Sequence, residues 1–307
     1  MKIAVIGRSE ILFNFMKEAI NHGHEIKLII TAKEAPEYTK TSKDFQTFAN
    51  EIGAGFIHSA KIQEEISSIK KFDNIDIAIS VNYSGIISQQ VIDCFKMGIL
   101  NAHGGDLPRY RGNACQAWAI INKEDRVGLC IHKMIGGELD SGDIIARDFL
   151  KINIETKVGD IWKWMKKEIP LLFLNAIENL EKNPKFIIEE QDKNIKNALR
   201  CYPRMPEDGK INWKDSSETI VRLVNASNKP YSGAFCNYGE DKLIIWDASI
   251  QHDNEVFNAI PGQITLISEG YIEVASGDGK IKIKLIEYKS EVITPDQIIK
   301  SIRKRLT

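Results

Sequence analysis

Residues 75–103 read IDIAISVNYSGIISQQVIDCFKMGILNAH, and the order of patterns in this stretch decides the fold class. The stretch begins with a short apolar, β-branched run at 75–81, which predicts a buried strand. A helix-compatible segment follows at 88–96, and MGILNAH then predicts a second strand. A strand, a helix and a strand in this order form the unit from which parallel sheets are built.

The segments on both sides continue the same alternation. Further strands are predicted at 2–7, 25–31, 55–59, 129–135 and 143–152, and helical spacing of apolar residues at 11–20, 45–52 and 158–180, with a polar helical stretch at 62–71. We therefore expect an α/β fold with an open, mostly parallel sheet.

The composition changes near residue 200. YPRMPEDG at 202–209 places two prolines and a glycine close together, which is typical of a linker. Five short strand-like runs follow, separated by turn signals: GAFCNY, KLIIWDA, GQITLI, YIEVAS and KIKIKLIEY. Such runs predict a small β-barrel or sandwich, so we expect a first domain over 1–200 and a second over 201–307.

The overall composition is that of a globular protein. Of 307 residues, 43% are hydrophobic and 27% charged, and 41 Lys plus Arg balance 42 Asp plus Glu, so the whole chain lacks the basic excess typical of nucleic-acid binding. The five cysteines are scattered, which favours reduced thiols over a disulfide framework or a zinc site. The apolar run at the start is too short for a signal peptide or a membrane span, so we expect a cytoplasmic protein.

The strand MGILNAH ends in two side chains that suit catalysis. Ligands bind beyond the carboxyl ends of parallel strands, and Asn101 and His103 lie at such an end. The Asn101 amide can donate to a developing oxyanion, and the His103 imidazole can take up a proton. The alternative is a turn in which both side chains only satisfy backbone groups.

A carboxylate that could orient His103 occurs in the glycine-rich stretch GGELDSGD at 136–143. Asp140 is the candidate. The stretch also resembles part of a calcium loop, but it lacks the further oxygen ligands, so no metal is expected. An Asn, His and Asp set contains no protein nucleophile, so the substrate must supply one, for instance an amine that attacks a carbonyl.

Three motifs carry a resemblance to a known family. Asn-x-His-Gly at 101–104, LPRYRG at 107–112 and GELDSGDI at 137–144 resemble the signature of 10-formyltetrahydrofolate-dependent formyltransferases. This family includes methionyl-tRNA formyltransferase, the glycinamide ribonucleotide enzyme and the nucleotide-sugar N-formyltransferases, and the chain looks most like the last. The resemblance implies a Rossmann-like formyltransferase domain over 1–200. PYSGAF at 230–235, with the strand-like runs after it, resembles the OB-like β-barrel domain expected over 201–307.

The resemblance also implies the roles of individual residues. Asn101, His103 and Asp140 would be catalytic, and the co-substrate 10-formyltetrahydrofolate would be held without a metal. The expected co-substrate pocket consists of Asn82, Tyr83, Ser84, Gly85, Ile86, Ile87, Gly137, Glu138 and Leu139.

The charge of the second domain bears on the formyl acceptor. Residues 201–307 contain 14 Lys plus Arg against 15 Asp plus Glu, whereas a tRNA-binding domain is expected to be basic. TAKEAPEYTKTSKDF at 31–45 also lacks the long basic insertion of the tRNA enzymes. The resemblance therefore favours a nucleotide-linked amino sugar, dTDP-4-amino-4,6-dideoxyglucose, in surface polysaccharide (O-antigen) and lipopolysaccharide synthesis, and a homodimer. Methionyl-tRNA formylation, hydrolysis of formyltetrahydrofolate and a non-catalytic binding module remain alternatives.

Contacts to the nucleotide sugar are expected from five residues. Arg8 and Ser9 follow the first strand and face the same cleft, and Arg109 is placed to pair with a pyrophosphate. Tyr38 and Tyr231 are candidates for stacking on a nucleobase, although burial at the edge of a core explains each equally well. GRSE has a single glycine, so it is not a dinucleotide-binding fingerprint and NAD is not expected.

Overall fold

The structure, a computed structural model, describes residues 1–36 and 38–307. The strands are β1 (Lys2–Gly7), β2 (Glu25–Thr31), β3 (Gly55–His58), β4 (Ile77–Val81), β5 (Ile99–His103), β6 (Arg111–Gly112), β7 (Arg126–Lys133), β8 (Ile144–Lys151), β9 (Arg200–Cys201), β10 (Ala234–Tyr238), β11 (Asp241–Gln251), β12 (Ile264–Ser268), β13 (Tyr271–Ala275), β14 (Lys280–Tyr288) and β15 (Glu291–Ile293). The helices are α1 (Glu10–Asn21), α2 (Ser42–Ile52), α3 (Ile66–Ile69), α4 (Gln89–Ile92), α5 (Cys115–Ile121), α6 (Val158–Lys182) and α7 (Ser217–Ala226).

The first part of the chain contains a seven-stranded sheet in the order β3-β2-β1-β4-β5-β7-β8. The pairings from β3 to β5 are parallel, which confirms the expected mostly parallel α/β sheet, and β7 runs antiparallel to β5. The central strands β1 and β4 are buried and aliphatic, as strands covered on both faces must be. The direction in which successive strands are added to the sheet reverses between β1 and β4. The carboxyl ends of strands at such a point are where open α/β sheets are expected to bind ligands.

Two helical predictions were too long. The segment predicted at 88–96 is helical only in α4, because the chain turns back to the sheet: the Met97 N–H donates to the Asp76 carbonyl at 2.8 Å. The polar stretch at 62–71 consists of a 3₁₀ turn, Ile62–Glu65, followed by the single turn α3.

The C-terminal segment forms an antiparallel sheet in the order β10-β11-β14-β13-β12. The short strand β15 pairs with the C-terminal end of β14. This confirms a second, β-rich domain. Its core is built mainly from isoleucines of alternating strand positions, packed with α7 against one face. Five of its strands were predicted; β15 was not, because three residues with one apolar pair give too short a pattern to detect.

The chain divides into two compact units that alternate along the sequence. The first comprises residues 1–112, 128–150 and 163–201, and the second comprises residues 113–127, 151–162 and 202–307. The division at residue 200 remains a prediction. In the described part of the chain, no helix combines the length and the apolar character that crossing a membrane requires.

Candidate active site

The site is built around the end of β5. Asn101 and His103 are two residues apart on this strand, so both side chains leave the same face of the sheet. His103 is buried, and its Nε2 lies 2.6 Å from the Tyr110 carbonyl oxygen. A carbonyl only accepts hydrogen bonds, so Nε2 carries the hydrogen and Nδ1 is left to face the rest of the site.

Asp140 lies beside His103, although 36 residues separate them in the chain. Its Oδ2 is 3.5 Å from His103 Nδ1 and accepts a hydrogen bond from the Gly112 N–H at 2.9 Å. The backbone of Asp140 has a φ of +48°, a left-handed conformation that non-glycine residues rarely adopt. The structure thus brings the three expected catalytic side chains together; their catalytic role remains a prediction.

A fourth polar side chain, His132, belongs to the same cluster. It lies on β7 directly opposite Asn101, and its side chain is 2% exposed. Its Nε2 is 3.3 Å from Asn101 Nδ2 and 3.6 Å from Asp140 Oδ1. His132 was not predicted as a site residue. The signal was a polar residue in the apolar run LCIHKMI, but its meaning depends on the antiparallel register between β5 and β7.

The hydrogen bonds of His132 determine its tautomer. Nδ1 lies 2.9 Å from the Lys133 carbonyl oxygen and must therefore carry a hydrogen. In the neutral ring Nε2 then accepts a hydrogen bond from the Asn101 amide, which orients that amide. Protonation would add a second N–H, directed at the Asp140 carboxylate.

Asp140 is the electrostatic centre of the cluster. Burial favours its neutral form, but this effect is outweighed by the charge of His103, by His132 and by the Gly112 N–H, and the pKa of Asp140 is well below its ordinary value. The carboxylate therefore stays charged between the two imidazole rings.

Two loops beside this cluster contain the residues expected to hold the co-substrate. The first follows β4 and the second follows β7, and they meet where the Gly136 N–H donates to Gln89 Oε1 at 2.9 Å. Ile86 is 76% exposed, and Ile135 and Leu139 on the second loop are also exposed. These side chains present an apolar surface to solvent, which suits a flat ring system. Ile135 was not predicted.

Other residues of the first loop support its shape. Ile87 is 5% exposed and packs in the core below the sheet, and the Tyr83 hydroxyl donates to the Ser59 carbonyl at 2.7 Å. A Cβ at Gly85 would lie 2.6 Å from the Ala60 carbonyl oxygen, so only glycine fits there. Asn82, Ser84, Gly137 and Glu138 complete the predicted pocket, and Asn82 has a φ of +54°.

Of the residues expected to contact the acceptor, three are found together. The Arg8 side chain donates to the carbonyl oxygens of Asn82 and Lys33, each at 3.0 Å, and its guanidinium lies 5.7 Å from the centre of the Tyr38 ring. Ser9 is buried at the start of α1. Arg8 therefore ties the loops after β1, β2 and β4 together. Arg109 is exposed and lies beside the Tyr110 ring.

The fifth of these residues, Tyr231, belongs to the second unit. There it lines a cavity of about 200 Å³ together with Arg204 and Ser227. The Arg204 guanidinium donates to Ser227 Oγ at 3.2 Å and packs over the Trp118 ring. Burial lowers the pKa of Arg204, with only partial compensation from Asp208 and Tyr231.

Over residues 1–36 and 38–307, no group of three or more His, Cys, Asp or Glu side chains is arranged to hold a metal ion. The polar side chains of the candidate active site are therefore those of Asn101, His103, His132 and Asp140, joined by the contacts given above.

An amide, two imidazoles and a carboxylate in one cluster suit the transfer of an acyl group. Sequence comparison gives the family. Residues 1–177 match the model described as Formyl transferase, and residues 204–303 match Formyl transferase, C-terminal domain. The chain belongs to the formyl transferase family and is a formyltransferase.

The proteins to which this chain is similar differ in their named acceptors. The methionyl-tRNA formyltransferase of Ruminiclostridium cellulolyticum is 29% identical over 94% of this chain and 93% of that protein. Among solved structures, the sugar 3N-formyl transferase WlaRD, in the presence of dTDP and 5-N-formyl-THF, matches with a TM-score of 0.70 and 21% identity over 95% of this chain and 98% of its own. An N-formyltransferase from Helicobacter canadensis, in complex with folinic acid and dTDP-3-aminofucose, has a TM-score of 0.68 and 18% identity over 92% and 98%.

Proposed function

We propose that this formyltransferase moves a formyl group from 10-formyltetrahydrofolate to the amine of a nucleotide-linked amino sugar, dTDP-4-amino-4,6-dideoxyglucose or a close relative. The observation that carries formyl transfer is the cluster in which His103 and His132 flank the Asp140 carboxylate while His132 also contacts the Asn101 amide. It provides a neutral amide donor beside groups that accept and hold a proton.

Asn101 stabilises the negative charge of the reaction. When the acceptor amine attacks the formyl carbon, a C–N bond forms and the carbonyl oxygen becomes an oxyanion. One N–H of the Asn101 amide is directed at His132 Nε2, which leaves the second N–H for that oxyanion.

Asp140 and the two imidazoles balance the protons. The amine loses a proton as it attacks, and the folate nitrogen gains one when its bond to the formyl carbon breaks. His103 Nδ1 faces Asp140, so a proton held there is stabilised by the carboxylate until it is passed to the leaving nitrogen, directly or through a water molecule.

The loops after β4 and β7 are the proposed donor site. Their exposed apolar side chains Ile86, Ile135 and Leu139 offer contacts to a pterin ring. The presence of 5-N-formyl-THF or folinic acid in two related structures supports this assignment.

The proposed class of acceptor rests first on the charge of residues 201–307. Residues 201–307 carry one more acidic than basic residue, and a domain of that composition offers little to a tRNA backbone. Two structural neighbours with dTDP or a dTDP-amino sugar support the same class. The second candidate is methionyl-tRNA, favoured by the named function of the Ruminiclostridium relative. A cytoplasmic location, a homodimer and a role in polysaccharide synthesis are parts of the same proposal.

A formylation assay tests the proposal. Purified protein is given 10-formyltetrahydrofolate and, separately, dTDP- and UDP-linked 3-amino and 4-amino sugars, Met-tRNA, or no acceptor. We expect formylation of a dTDP-amino sugar. Formylation of Met-tRNA alone would establish the second candidate, and release of formate without an acceptor would indicate a hydrolase.

A further inference from the structure

Gln191 is a buried side chain that hydrogen-bonds to the backbone of the loop that contains Asp140. It follows α6 in the chain, is 4% exposed, and belongs to the segment whose Ile188 N–H donates to the Ile144 carbonyl at 2.9 Å. Its carboxamide Nε2 donates to the carbonyl oxygens of Asp140, at 2.9 Å, and Gly142, at 2.6 Å. Both hydrogens of the amide are thereby used.

Arg111 determines which way the Gln191 amide faces. Its Nη2 donates to Gln191 Oε1 at 2.8 Å. A flipped amide would place its NH₂ group against the guanidinium and its oxygen against two carbonyl oxygens, so one orientation is strongly favoured. The next residue, Gly112, supplies the N–H that binds the Asp140 carboxylate. Consecutive residues of β6 therefore hold Asp140 by its side chain and, through Gln191, by its backbone.

Arg111 and Gln191 together form a clamp on the Asp140 loop. This clamp acts at a residue whose backbone conformation is unfavourable. The left-handed conformation of Asp140 is unfavourable for a residue with a side chain and persists only when its surroundings enforce it. Gly142 is packed so closely that a Cβ would lie 1.9 Å from the Lys133 carbonyl oxygen, so the loop is anchored on one side of Asp140. Gln191 bonds to the carbonyls of both residues.

The geometry points to Gln191 as a positioning residue for formyl transfer: held by Arg111, it fixes the Asp140 backbone so that the carboxylate stays between His103 and His132. This inference rests on the catalytic role proposed for Asp140. It predicts that loss of the two hydrogen bonds lowers kcat rather than substrate binding, because displacement of a catalytic group by about 1 Å can cost about 100-fold in rate.

Gln191→Met is the decisive variant, since it keeps the length of the side chain without its hydrogen bonds. We expect kcat to fall about 10- to 100-fold, with KM for both substrates within about 3-fold of wild type. The matched control is Glu189→Gln, in the same segment, which removes the 3.1 Å ion pair with Arg147 and should leave kcat unchanged. If both variants lose activity equally, general loosening of the segment explains the result and the inference is wrong.

A double-mutant cycle with Asp140→Asn separates the inference from the proposed function. If Gln191 acts through Asp140, adding Gln191→Met to Asp140→Asn should change the single-turnover rate less than about 2-fold. Equal losses in both backgrounds would overturn the inference. Full activity of Asp140→Asn alone would instead refute the proposed role of Asp140. Should Gln191→Met not fold, Arg111→Lys tests the same clamp and should also lower kcat without raising KM; unchanged kcat would contradict the inference.

Discussion

At the scale of single residues, the feature that organises the site is one carboxylate shared by two imidazoles. Asp140 lies 3.5 Å from His103 and 3.6 Å from His132, and the latter ring also holds the Asn101 amide. The proposed oxyanion donor and the proposed proton-handling groups are therefore connected, and a change in one is expected to affect the others.

His132→Phe should remove the acceptor that orients the Asn101 amide. We expect kcat to fall about 10- to 100-fold, less than the about 100- to 1,000-fold that loss of an oxyanion donor costs, because the Asn101 amide is still present but no longer oriented by His132. His132→Gln should be less impaired, since its amide oxygen can accept the same hydrogen bond. Single-turnover formylation rates measure both. His58→Gln, on an exposed position of β3, is the control, and equal rates for His132→Phe and this control would contradict the prediction.

Asp140 should also make stability depend on pH. Its pKa is lowered in the folded protein, so its contribution is fully present above the unfolded value of about 4 and is lost as the pH falls toward the folded value, at about 1.4 kcal/mol for each unit of lowering. The free energy of unfolding in urea should thus fall more between about pH 5 and about pH 3 for wild type than for Asp140→Asn. Parallel curves for the two proteins would show that the carboxylate is not stabilised by folding.

At the scale of elements, the site depends on short, irregular strands around β5. The two-residue strand β6 pairs with β9, and this pairing places the Gly112 N–H against Asp140. Gly112 has a φ of +103°, and a Cβ at this position would lie 2.4 Å from the Cys201 carbonyl oxygen. The motif LPRYRG therefore ends in glycine for a reason of packing as well as of conformation.

Gly112→Ala should displace β6 from β9 and weaken the hydrogen bond to Asp140. We expect a loss of about 1–3 kcal/mol in the free energy of unfolding and a lower kcat. Gly53→Ala is the matched control: Gly53 also has a positive φ, of +70°, but a Cβ there has no neighbour within 4 Å. This control should lose about 1 kcal/mol and keep its activity. Urea denaturation and kcat are measured together, and a fully active Gly112→Ala would argue against the role given to this glycine.

At the scale of the whole molecule, the balance of charge is the property with functional consequences. The chain has a net charge of −1, and residues 201–307 by themselves also have one more acidic than basic residue. Proteins that bind nucleic acid through many phosphate contacts lose affinity steeply as salt rises, whereas a small ligand with few charges is much less affected.

The salt dependence of KM should distinguish the two acceptor classes. With a dTDP-amino sugar, we expect KM to change less than about 3-fold between about 50 and about 200 mM salt, whereas binding of Met-tRNA through several phosphates would weaken by orders of magnitude. Initial rates across this range supply the measurement, with KM for 10-formyltetrahydrofolate as the internal reference. A steep dependence for the sugar would mean that its recognition rests mainly on exposed charges.

Much of this architecture follows from local patterns. The aliphatic runs and their helical separators predict the order of strands and helices, because burial on both faces of a parallel sheet selects continuous apolar segments. The end of β5 and the glycine-rich stretch around Asp140 also stand out along the chain, and the family motifs link them.

His132, Ile135 and Gln191 could not be identified in this way. Each owes its position to contacts between distant segments: the antiparallel register of β7 on β5, the meeting of two loops at Gln89, and the return of the chain after α6 to the back of the Asp140 loop. Hydrophobic periodicity predicts which residues are buried, but it does not predict which polar side chains contact one another. Those contacts depend on strand register and on hydrogen-bond geometry, which are established only when the chain is folded.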